Sequence, residues 1–187
     1  LDNNIYGLTK MQTSPTTRHT DRSMTHPKGS FFVPINPISV TLGIPNASFV
    51  AQTVDWNPPH LYETIRAGHE HQGLSFIRVF QRCPHYTSHV YAEAQKDSSL
   101  ILMMKHPDGI NLPEAAEKVF PNKVEHDPSD LSSARELADE QDQMLPIGLF
   151  YRNRNAERYD QVTAHGLGVS RSEKIEALNR ALDRFLI

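Results

Sequence analysis

The chain has 187 residues, of which 38% are hydrophobic and 22% are charged, and its formal net charge is −3. This length and composition suit one soluble domain, alone or with an extension. The slightly negative charge argues against nucleic acid as a partner, and no apolar run approaches the roughly 20 residues of a membrane span. The first residues lack a signal-peptide pattern, and the single cysteine, Cys83, permits no internal disulfide. We therefore expect a cytoplasmic protein with no membrane and no nucleic-acid partner.

The chain opens on a polar turn, "DNNIYGLTK" at positions 2–10. Residues 1–2 are interpreted as the end of a strand, so this turn is expected to leave the edge of a sheet. Residues 11–35 are rich in Thr, Ser, Pro and His, which predicts a long loop. A short helix is expected next, with Asn36 as its N-cap and Pro37 at its first position.

The next segment predicts a β-α-β unit. Residues 47–55 are apolar and rich in β-formers, which indicates a buried strand. A helix follows with Asn57 as N-cap, ending near Gly73, and residues 74–81 predict a second strand. This order of elements is typical of a parallel sheet covered by helices. Leu61, Ile65, Ala67 and Gly68 are predicted to lie on one side of this helix.

The second half of the chain is less regular. Residues 99–105 predict one more strand or a buried segment, and residues 144–153 form an apolar, strand-like run. Between them, residues 106–140 are polar and acidic and predict short helices on a solvated face. The segment 170–187 predicts an amphipathic helix that begins with a capping box of Ser170 and Glu173. Its apolar stripe is predicted to contain Ile175, Leu178, Leu182, Phe185 and Leu186.

The opening turn carries residue types that suit a metal–phosphate site. Ligands of α/β proteins bind at the carboxyl edge of the sheet, where this turn is expected. The amide oxygen of Asn3 is a suitable Mg²⁺ ligand, and the carbonyl of Ile5, two residues on, can reach the same ion. Gly7 permits close approach of a phosphate to the backbone. The alternative from spacing alone is a simple Asx-type turn that leaves a strand.

Three motifs in the right order resemble the β subunits of the 2-oxoacid:ferredoxin oxidoreductases. "DNNIYGLTK-x-Q-x-SPTT" is similar to the end of the family's thiamine-diphosphate motif, in which an Asn side chain and a backbone carbonyl help to hold Mg²⁺. "VFQRCPHY" resembles the segment with a lone cysteine, and "LPIGLFYRN" resembles a run near the family's C-terminus. The resemblance covers residues 1 to about 155.

The resemblance implies an α/β fold and a division of the chain. Residues 1–92 would be the second, C-terminal part of a thiamine-diphosphate-binding domain, a parallel sheet flanked by helices. Residues 93–187 would be a less regular extension that packs on the complex and ends in the amphipathic helix. The family's Gly-Asp-Gly and three of its cluster cysteines do not occur in the chain, so we expect them in an N-terminal half of the β subunit that precedes these residues.

The resemblance also implies roles for individual residues. Asn3 and Ile5 would ligate Mg²⁺, Leu8 and Lys10 would face the substrate, and Cys83 would be the fourth ligand of a [4Fe–4S] cluster. Position 11 is Met where the family often has Gly, which suggests a different loop shape there. The predicted thiamine-diphosphate contacts are Asn3, Ile5, Tyr6, Gly7, Leu8 and Thr9.

Other interpretations of Cys83 and the histidines remain open. From the residues alone, Cys83 also fits an inert buried thiol. Cys83, His85 and His89 fall within seven residues, but their spacing is not common for zinc sites. His69 and His71 are interpreted as a solvated helix end, and His19 and His26 as surface residues. Lys10 also fits an ordinary exposed lysine.

The activity implied by the resemblance is the oxidative decarboxylation of a 2-oxoacid, with 2-oxoglutarate as the best expectation. Coenzyme A would take the acyl group, and electrons would pass through iron–sulfur clusters to ferredoxin. An α subunit, or α and γ subunits, would be required as partners. The alternatives are a non-oxidative thiamine-dependent decarboxylase or carboligase, and a non-catalytic assembly module.

Overall fold

The computed structural model describes residues 4–139, 144–163 and 169–185. The chain folds as two compact units, Leu1–Ala156 and Glu157–Ile187. The first unit has a five-stranded sheet with the strand order β4-β3-β7-β5-β6 and a two-stranded hairpin, β1–β2. The strands are β1 (Ile5–Tyr6), β2 (Gln12–Thr13), β3 (Ala47–Val54), β4 (Leu74–Phe80), β5 (Ile101–Lys105), β6 (Asn122–Glu125) and β7 (Leu145–Arg152).

The helices begin where the sequence places their caps. Asn36 accepts a hydrogen bond from the backbone N–H of Ile38, at 3.0 Å, and Asn57 accepts one from His60, at 3.1 Å. A proline follows each of these caps, where its missing N–H costs no helical hydrogen bond. The helices of the first unit are α1 (Pro37–Leu42), α2 (Pro58–Glu70), α3 (Ala92–Lys96), α4 (Glu114–Glu117) and α5 (Leu131–Asp139), with a 3₁₀ turn at Ser98–Leu100.

The predicted β-α-β unit is confirmed. β3 and β4 are parallel neighbours joined by α2, with Val50 opposite Phe76 and Val54 opposite Phe80. β5 pairs in parallel with both β6 and β7, whereas β7 is antiparallel to β3. The fold is therefore α/β with a mostly parallel sheet, as predicted. Strands from both sides of residue 92 share this sheet, so the predicted division at residue 92 does not coincide with an edge of the sheet.

Helices cover both faces of the sheet. On one face α1 and α5 pack against β3 and β7 through Ile38, Ala134, Val50 and Phe150. On the other face Phe49 and Ala51 of β3 pack with partly buried residues of α2 and β4. This arrangement buries all eight residues of β3, which explains why most of them are apolar; the three polar ones, Ser48, Gln52 and Thr53, are buried as well.

Three details of the sequence prediction were wrong. Of the residues predicted to lie on one side of α2, Gly68 is buried, but Ile65 is exposed, and the other buried residues of the helix are His60 and Thr64. Residues 106–140 are not only a solvated face, because they contain β6 and the core residues Ala134 and Ala138 of α5. The opening segment also forms the small hairpin β1–β2, which the sequence did not suggest.

The second unit contains α6 (Tyr159–Thr163) and α7 (Arg171–Asp183). The predicted capping box is confirmed: Ser170 accepts from the N–H of Glu173, and the Glu173 carboxylate accepts from the N–H of Ser170 at 2.7 Å. Leu186 of the predicted stripe lies outside the described residues. In the part of the chain that is described, no helix is long and apolar enough to cross a lipid bilayer.

Candidate functional site

The opening motif folds as the β1–β2 hairpin with a five-residue loop, 7–11. Ile5 pairs with Thr13 and Tyr6 with Gln12. Within the loop, the N–H of Lys10 donates to the carbonyl of Gly7, and that of Met11 donates to the carbonyl of Tyr6, both at 3.0 Å. The loop therefore holds its shape through its own backbone.

Two consecutive residues of this loop are left-handed. Lys10 has φ of 67° and Met11 has φ of 65°. Residues with a side chain rarely adopt this conformation, at a cost of roughly 1–2 kcal/mol each. A left-handed backbone at position 11 explains why glycine suits this position, and Met11 adopts the same kind of backbone at a cost that glycine avoids.

Asn4 anchors the hairpin to the segment that follows it. Its side-chain Nδ2 donates to the carbonyl of Thr16 at 2.8 Å, and its own carbonyl accepts from the hydroxyls of Ser14 and Thr17. The side-chain Oδ1 of Asn4 is buried and has no hydrogen-bond partner among the described residues. A buried acceptor without a donor costs roughly 1–3 kcal/mol, so this atom marks a place where a donor or a cation would be stabilising.

Cys83 lies three residues beyond the end of β4, in a loop that turns its backbone N–H groups toward the sulfur. The N–H of Tyr86 donates to the Cys83 Sγ at 3.5 Å, and the N–H of Thr87 donates to the Cys83 carbonyl at 3.2 Å. The N–H of Tyr86, followed by that of His85, lowers the pKa of the Cys83 thiol below its ordinary value, and burial opposes this only in part. This loop favours the thiolate, which is the form that binds metals.

The hairpin loop and the Cys83 loop meet directly. A Cβ on Gly7 would lie 2.6 Å from Cε2 of the Tyr86 ring, so a side chain at position 7 would force the ring or the loop to shift. Both loops line one cleft of about 1110 Å³. Its wall includes Ile5 and Tyr6 of β1, Gly7 and Leu8 of the hairpin loop, and Cys83, Tyr86 and Thr87 of the Cys83 loop.

The structure thus brings most of the predicted site residues together. Ile5 is buried, Tyr6 is 40% exposed, and Leu8 is fully exposed at the mouth of the cleft. Thr9 and Lys10 are exposed at the tip of the loop and are not part of the cleft wall. Asn3, the predicted Mg²⁺ ligand, lies outside the described residues.

Sequence reasoning missed Asn4, Tyr86 and Arg78. Arg78 lies in β4, where its guanidinium stacks over the Phe80 ring at 4.5 Å, and its Nη1 lies 3.5 Å from the Gln52 Oε1. It also lines a second cavity of about 1000 Å³, which includes Asn4 as well. The available signal was a single charged residue, an arginine, in a mostly apolar strand, "LSFIRVF".

The histidines do not form a zinc site in the described ranges. Among those residues, no group of three or more His, Cys, Asp and Glu side chains is arranged to hold a metal ion. The His85 ring instead packs edge-on against Tyr86, and the His89 Nε2 lies 3.2 Å from Asp21.

His71 is also not a solvated residue, contrary to the prediction. Its Nε2 lies 2.9 Å from the hydroxyl of Ser48, and its ring lies 5.4 Å from that of Phe49. Burial, followed by the positive charge of Arg152, lowers the pKa of His71. His69, two residues earlier at the end of α2, is exposed as predicted.

Comparisons with known proteins agree with the resemblance identified in the sequence. Residues 116–165 match the family that comprises the C-terminal region of the pyruvate ferredoxin oxidoreductase beta subunit. A 2-oxoacid:ferredoxin oxidoreductase subunit beta from Sulfolobus is 28% identical over 86% of this chain and 49% of its own length. The 2-oxoglutarate oxidoreductase subunit KorB of Mycobacterium tuberculosis is 32% identical over 59% of this chain and 30% of its own length.

A solved structure shares the fold. It is a 2-oxoglutarate:ferredoxin oxidoreductase from Magnetococcus marinus with 2-oxoglutarate, coenzyme A and succinyl-CoA bound, which superposes with a TM-score of 0.64 at 30% identity. The match covers 95% of this chain and 56% of that chain. This chain spans about half the length of the curated relatives that match most of it. The resemblance predicted from three motifs is therefore confirmed: over most of its length this chain is similar to β subunits of 2-oxoacid:ferredoxin oxidoreductases.

Proposed function

We propose that this chain is part of the β subunit of an enzyme that oxidatively decarboxylates a 2-oxoacid, most specifically 2-oxoglutarate. The 2-oxoacid loses CO₂, coenzyme A takes the acyl group as a thioester, and two electrons leave singly through iron–sulfur clusters to ferredoxin. The observation that carries the proposal is the meeting of the hairpin loop and the Cys83 loop in one cleft. The relatives named for 2-oxoglutarate support the choice of substrate.

The hairpin suits one end of a thiamine-diphosphate site. In the proposal, the side chain of Asn3 and the carbonyl of Ile5 ligate Mg²⁺, and residues 6–9 contact the cofactor. The fit rests on the buried Oδ1 of Asn4, which has no donor among the described residues, and on the small Gly7 in the cleft wall. When bound, thiamine diphosphate supplies the electron sink that stabilises the carbanion left by loss of CO₂.

Cys83 suits a cluster ligand. The backbone N–H groups that lower its pKa favour the thiolate, and hydrogen bonds to cluster sulfur ligands are one of the ways in which proteins set cluster potentials. A [4Fe–4S] cluster is typically held by four cysteine thiolates, and this chain has one cysteine. In the proposal, the other three come from the part of the β subunit that this chain does not match.

The tip of the hairpin loop suits contact with substrates. Leu8 and Lys10 are exposed there, next to the cleft. In the proposal, the Lys10 ammonium attracts the carboxylate of the 2-oxoacid or the phosphates of coenzyme A, while Leu8 packs against the bound substrate. The partners are then an α subunit (or α and γ subunits) and ferredoxin, and the reduced Cys83 thiol suits the cytoplasm.

The proposal is tested by Cys83→Ser in the complete enzyme with its partner subunits. Serine keeps the size of the side chain but is a poor ligand for cluster iron. We expect loss of cluster iron and of ferredoxin reduction driven by 2-oxoglutarate and coenzyme A. Iron content and reduction rate are the two measurements.

A matched control is Ser88→Ala, which changes an exposed residue of the same loop. This control is expected to keep wild-type iron content and rate. If Cys83→Ser retained both at the wild-type level, Cys83 would not be a ligand and the proposal for this loop would fail.

A further inference from the structure

Tyr86 connects the Cys83 loop to the hairpin loop. Its ring lies so close to Gly7 that a Cβ at position 7 would be 2.6 Å from its Cε2 and 3.0 Å from its Cδ2. The backbone N–H of the same residue donates to the Cys83 Sγ at 3.5 Å. One residue therefore contacts both the backbone of the hairpin loop and the sulfur of the cysteine.

The hairpin loop offers the Tyr86 ring a fixed surface. The carbonyl of Gly7 accepts from the N–H of Lys10, and the carbonyl of Tyr6 accepts from that of Met11, both at 3.0 Å. These two bonds close the loop on itself. The backbone at Gly7 is therefore held in place without help from Tyr86, and the ring packs against it.

The ring of Tyr86 anchors an otherwise exposed stretch of the Cys83 loop. Pro84 and His85 are exposed, Tyr86 is partly buried, and the chain becomes buried again at Thr87. The His85 ring packs edge-on against that of Tyr86, with the two centroids 4.5 Å apart. The contacts of the Tyr86 ring therefore help to determine where the N–H of the same residue points.

An N–H that points at a cysteine sulfur changes the reduction potential of an iron–sulfur cluster bound there. Reduction adds one negative charge to the cluster, and the positive end of an N–H dipole close to the sulfur stabilises that charge. The N–H of Tyr86 is also the largest cause of the lowered pKa of Cys83, so it stabilises negative charge on this sulfur. Moving this N–H away from the sulfur should make the cluster harder to reduce.

We propose that Tyr86 is a positioning residue that couples the two cofactor sites: the packing of its ring on Gly7 holds its N–H on the Cys83 sulfur and so raises the potential of the cluster. The inference rests on the proposed function, because it requires a cluster on Cys83. Displacement of the hairpin loop then changes the cluster potential through Tyr86. By linkage, reduction of the cluster changes the affinity of the hairpin loop for its ligand by the same factor.

The test is a potentiometric titration of the complete enzyme with its partner subunits, followed by electron paramagnetic resonance of the reduced cluster. The signal that belongs to Cys83 is the one that is lost in Cys83→Ser. Tyr86→Ala keeps the backbone N–H but removes the ring, so the equilibrium constant for cluster reduction should fall about fivefold, the usual effect of one hydrogen bond. This fall is about 40 mV, since a one-electron couple shifts by about 59 mV per tenfold.

Three further variants separate ring packing from other effects. Tyr86→Phe keeps the ring and should have the wild-type potential, as should Ser88→Ala, which changes an exposed residue of the same loop. Gly7→Ala displaces the ring without changing the sequence of the Cys83 loop. It should lower the potential in the wild-type background and have no further effect in the Tyr86→Ala background. Gly7→Ala alone tests the proposal even if Tyr86→Ala loses its cluster.

The outcomes that would overturn the inference differ from those that would overturn the proposed function. A wild-type potential in Tyr86→Ala, or in Gly7→Ala if the first variant holds no cluster, would show that the ring does not set the potential. An equal fall in Tyr86→Phe would assign the effect to the hydroxyl and not to packing on Gly7. If no signal depended on Cys83 at all, the proposed function of the Cys83 loop would itself fail.

Discussion

The two edge strands of the five-stranded sheet, β4 and β6, end the sheet in different ways. β6 reads Asn-Lys-Val-Glu, and Lys123 joins Lys105 in an ion-pair cluster around the Glu117 carboxylate. Charged residues on an edge strand discourage further pairing. β4 reads Leu-Ser-Phe-Ile-Arg-Val-Phe and borders a large cleft. The difference indicates that β6 disfavours pairing with a further strand, whereas β4 exposes apolar residues that a neighbour could bury.

Proline substitutions on the two edges should give the largest contrast. Val79→Pro removes an N–H that faces the cleft, whereas Glu125→Pro removes one that faces solvent. A lost hydrogen bond at a buried pairing costs roughly 1–3 kcal/mol, which lowers the equilibrium constant about 5- to 150-fold. We expect Val79→Pro to reduce the yield of assembled enzyme by at least about tenfold and Glu125→Pro to leave it near wild type. Size-exclusion chromatography of the co-expressed subunits measures both, and equal yields would contradict the comparison.

The contact between the hairpin loop and the Cys83 loop can be tested by a double-mutant cycle. Gly7→Ala places a methyl group 2.6 Å from the Tyr86 ring, so the ring or the loop must move. We expect thiamine-diphosphate affinity to fall about tenfold, or roughly 1.4 kcal/mol, as for other disturbances of cofactor-positioning contacts.

In the Tyr86→Ala background the added methyl group meets no ring. Gly7→Ala is therefore expected to have little further effect there, and calorimetric titration of the cofactor gives all four affinities. Equal losses of cofactor affinity in the wild-type and Tyr86→Ala backgrounds would mean that the added methyl group does not act through the Tyr86 ring.

Acid should weaken the β4 side of the sheet first. Burial of His60 in α2, against β3, lowers its pKa to about 4 from 6.5. The unfolded chain therefore binds a proton between these two values that the folded chain does not, and the folded state loses stability as pH falls from 6.5 to 4. The loss is about 2 kcal/mol between pH 7 and pH 5.

His60→Gln should remove the His60 share of this pH dependence and leave that of His71, while His69→Gln, at an exposed site on the same helix, should keep both. Denaturant unfolding of the β subunit at the two pH values gives the comparison. A wild-type protein with the same free energy of unfolding at pH 7 and pH 5 would refute the assignment.

The smallest effect on stability is expected for Glu117, whose carboxylate forms an ion pair with Lys123 of β6. Hydrogen bonds from Lys105 and Lys123 lower the pKa of Glu117 to about 2. Its contribution is therefore present above pH 4.5 and is lost as pH falls toward 2, a lower window than that of His60. Because Glu117 is near the surface, Glu117→Gln should lower Tm less than His60 protonation does. A scan of Tm at pH 7 and pH 3.5 measures it, and a larger drop for Glu117→Gln at pH 3.5 than at pH 7 would contradict the sign.

Local signals in the sequence were sufficient for the elements near the site. Asn36–Pro37 and Asn57–Pro58 mark both helix starts, and the apolar runs at β3 and β4 mark a parallel pair. Each of these signals acts within a few residues. The elements that they predict therefore do not depend on how distant parts of the chain pack.

The predictions were wrong where contacts between distant segments, and not the local sequence, determine which residues are buried. α2 lies so close to β4 that a Cβ on Gly68 would be 2.7 Å from the Cδ1 of Ile77, so a larger residue at position 68 would crowd the sheet, while Ile65 is exposed. β6 was missed because only Val124 is apolar in it, as suits an edge strand.

The candidate site was also predictable only in part. The types of its residues, an amide-rich turn and a lone cysteine, were readable from the sequence. The close contact of Gly7 with Tyr86 and the N–H groups around Cys83 join residues about 80 positions apart or depend on a loop's exact path, so no local pattern encodes them.

The most direct test of the account is a crystal structure of the complete enzyme with diffraction recorded at the iron absorption edge. The account predicts an iron atom bonded to the Cys83 Sγ, with the hairpin loop 7–11 lining the cofactor in the same cleft. A structure in which Cys83 has no iron within bonding distance and the hairpin loop faces bulk water would contradict it.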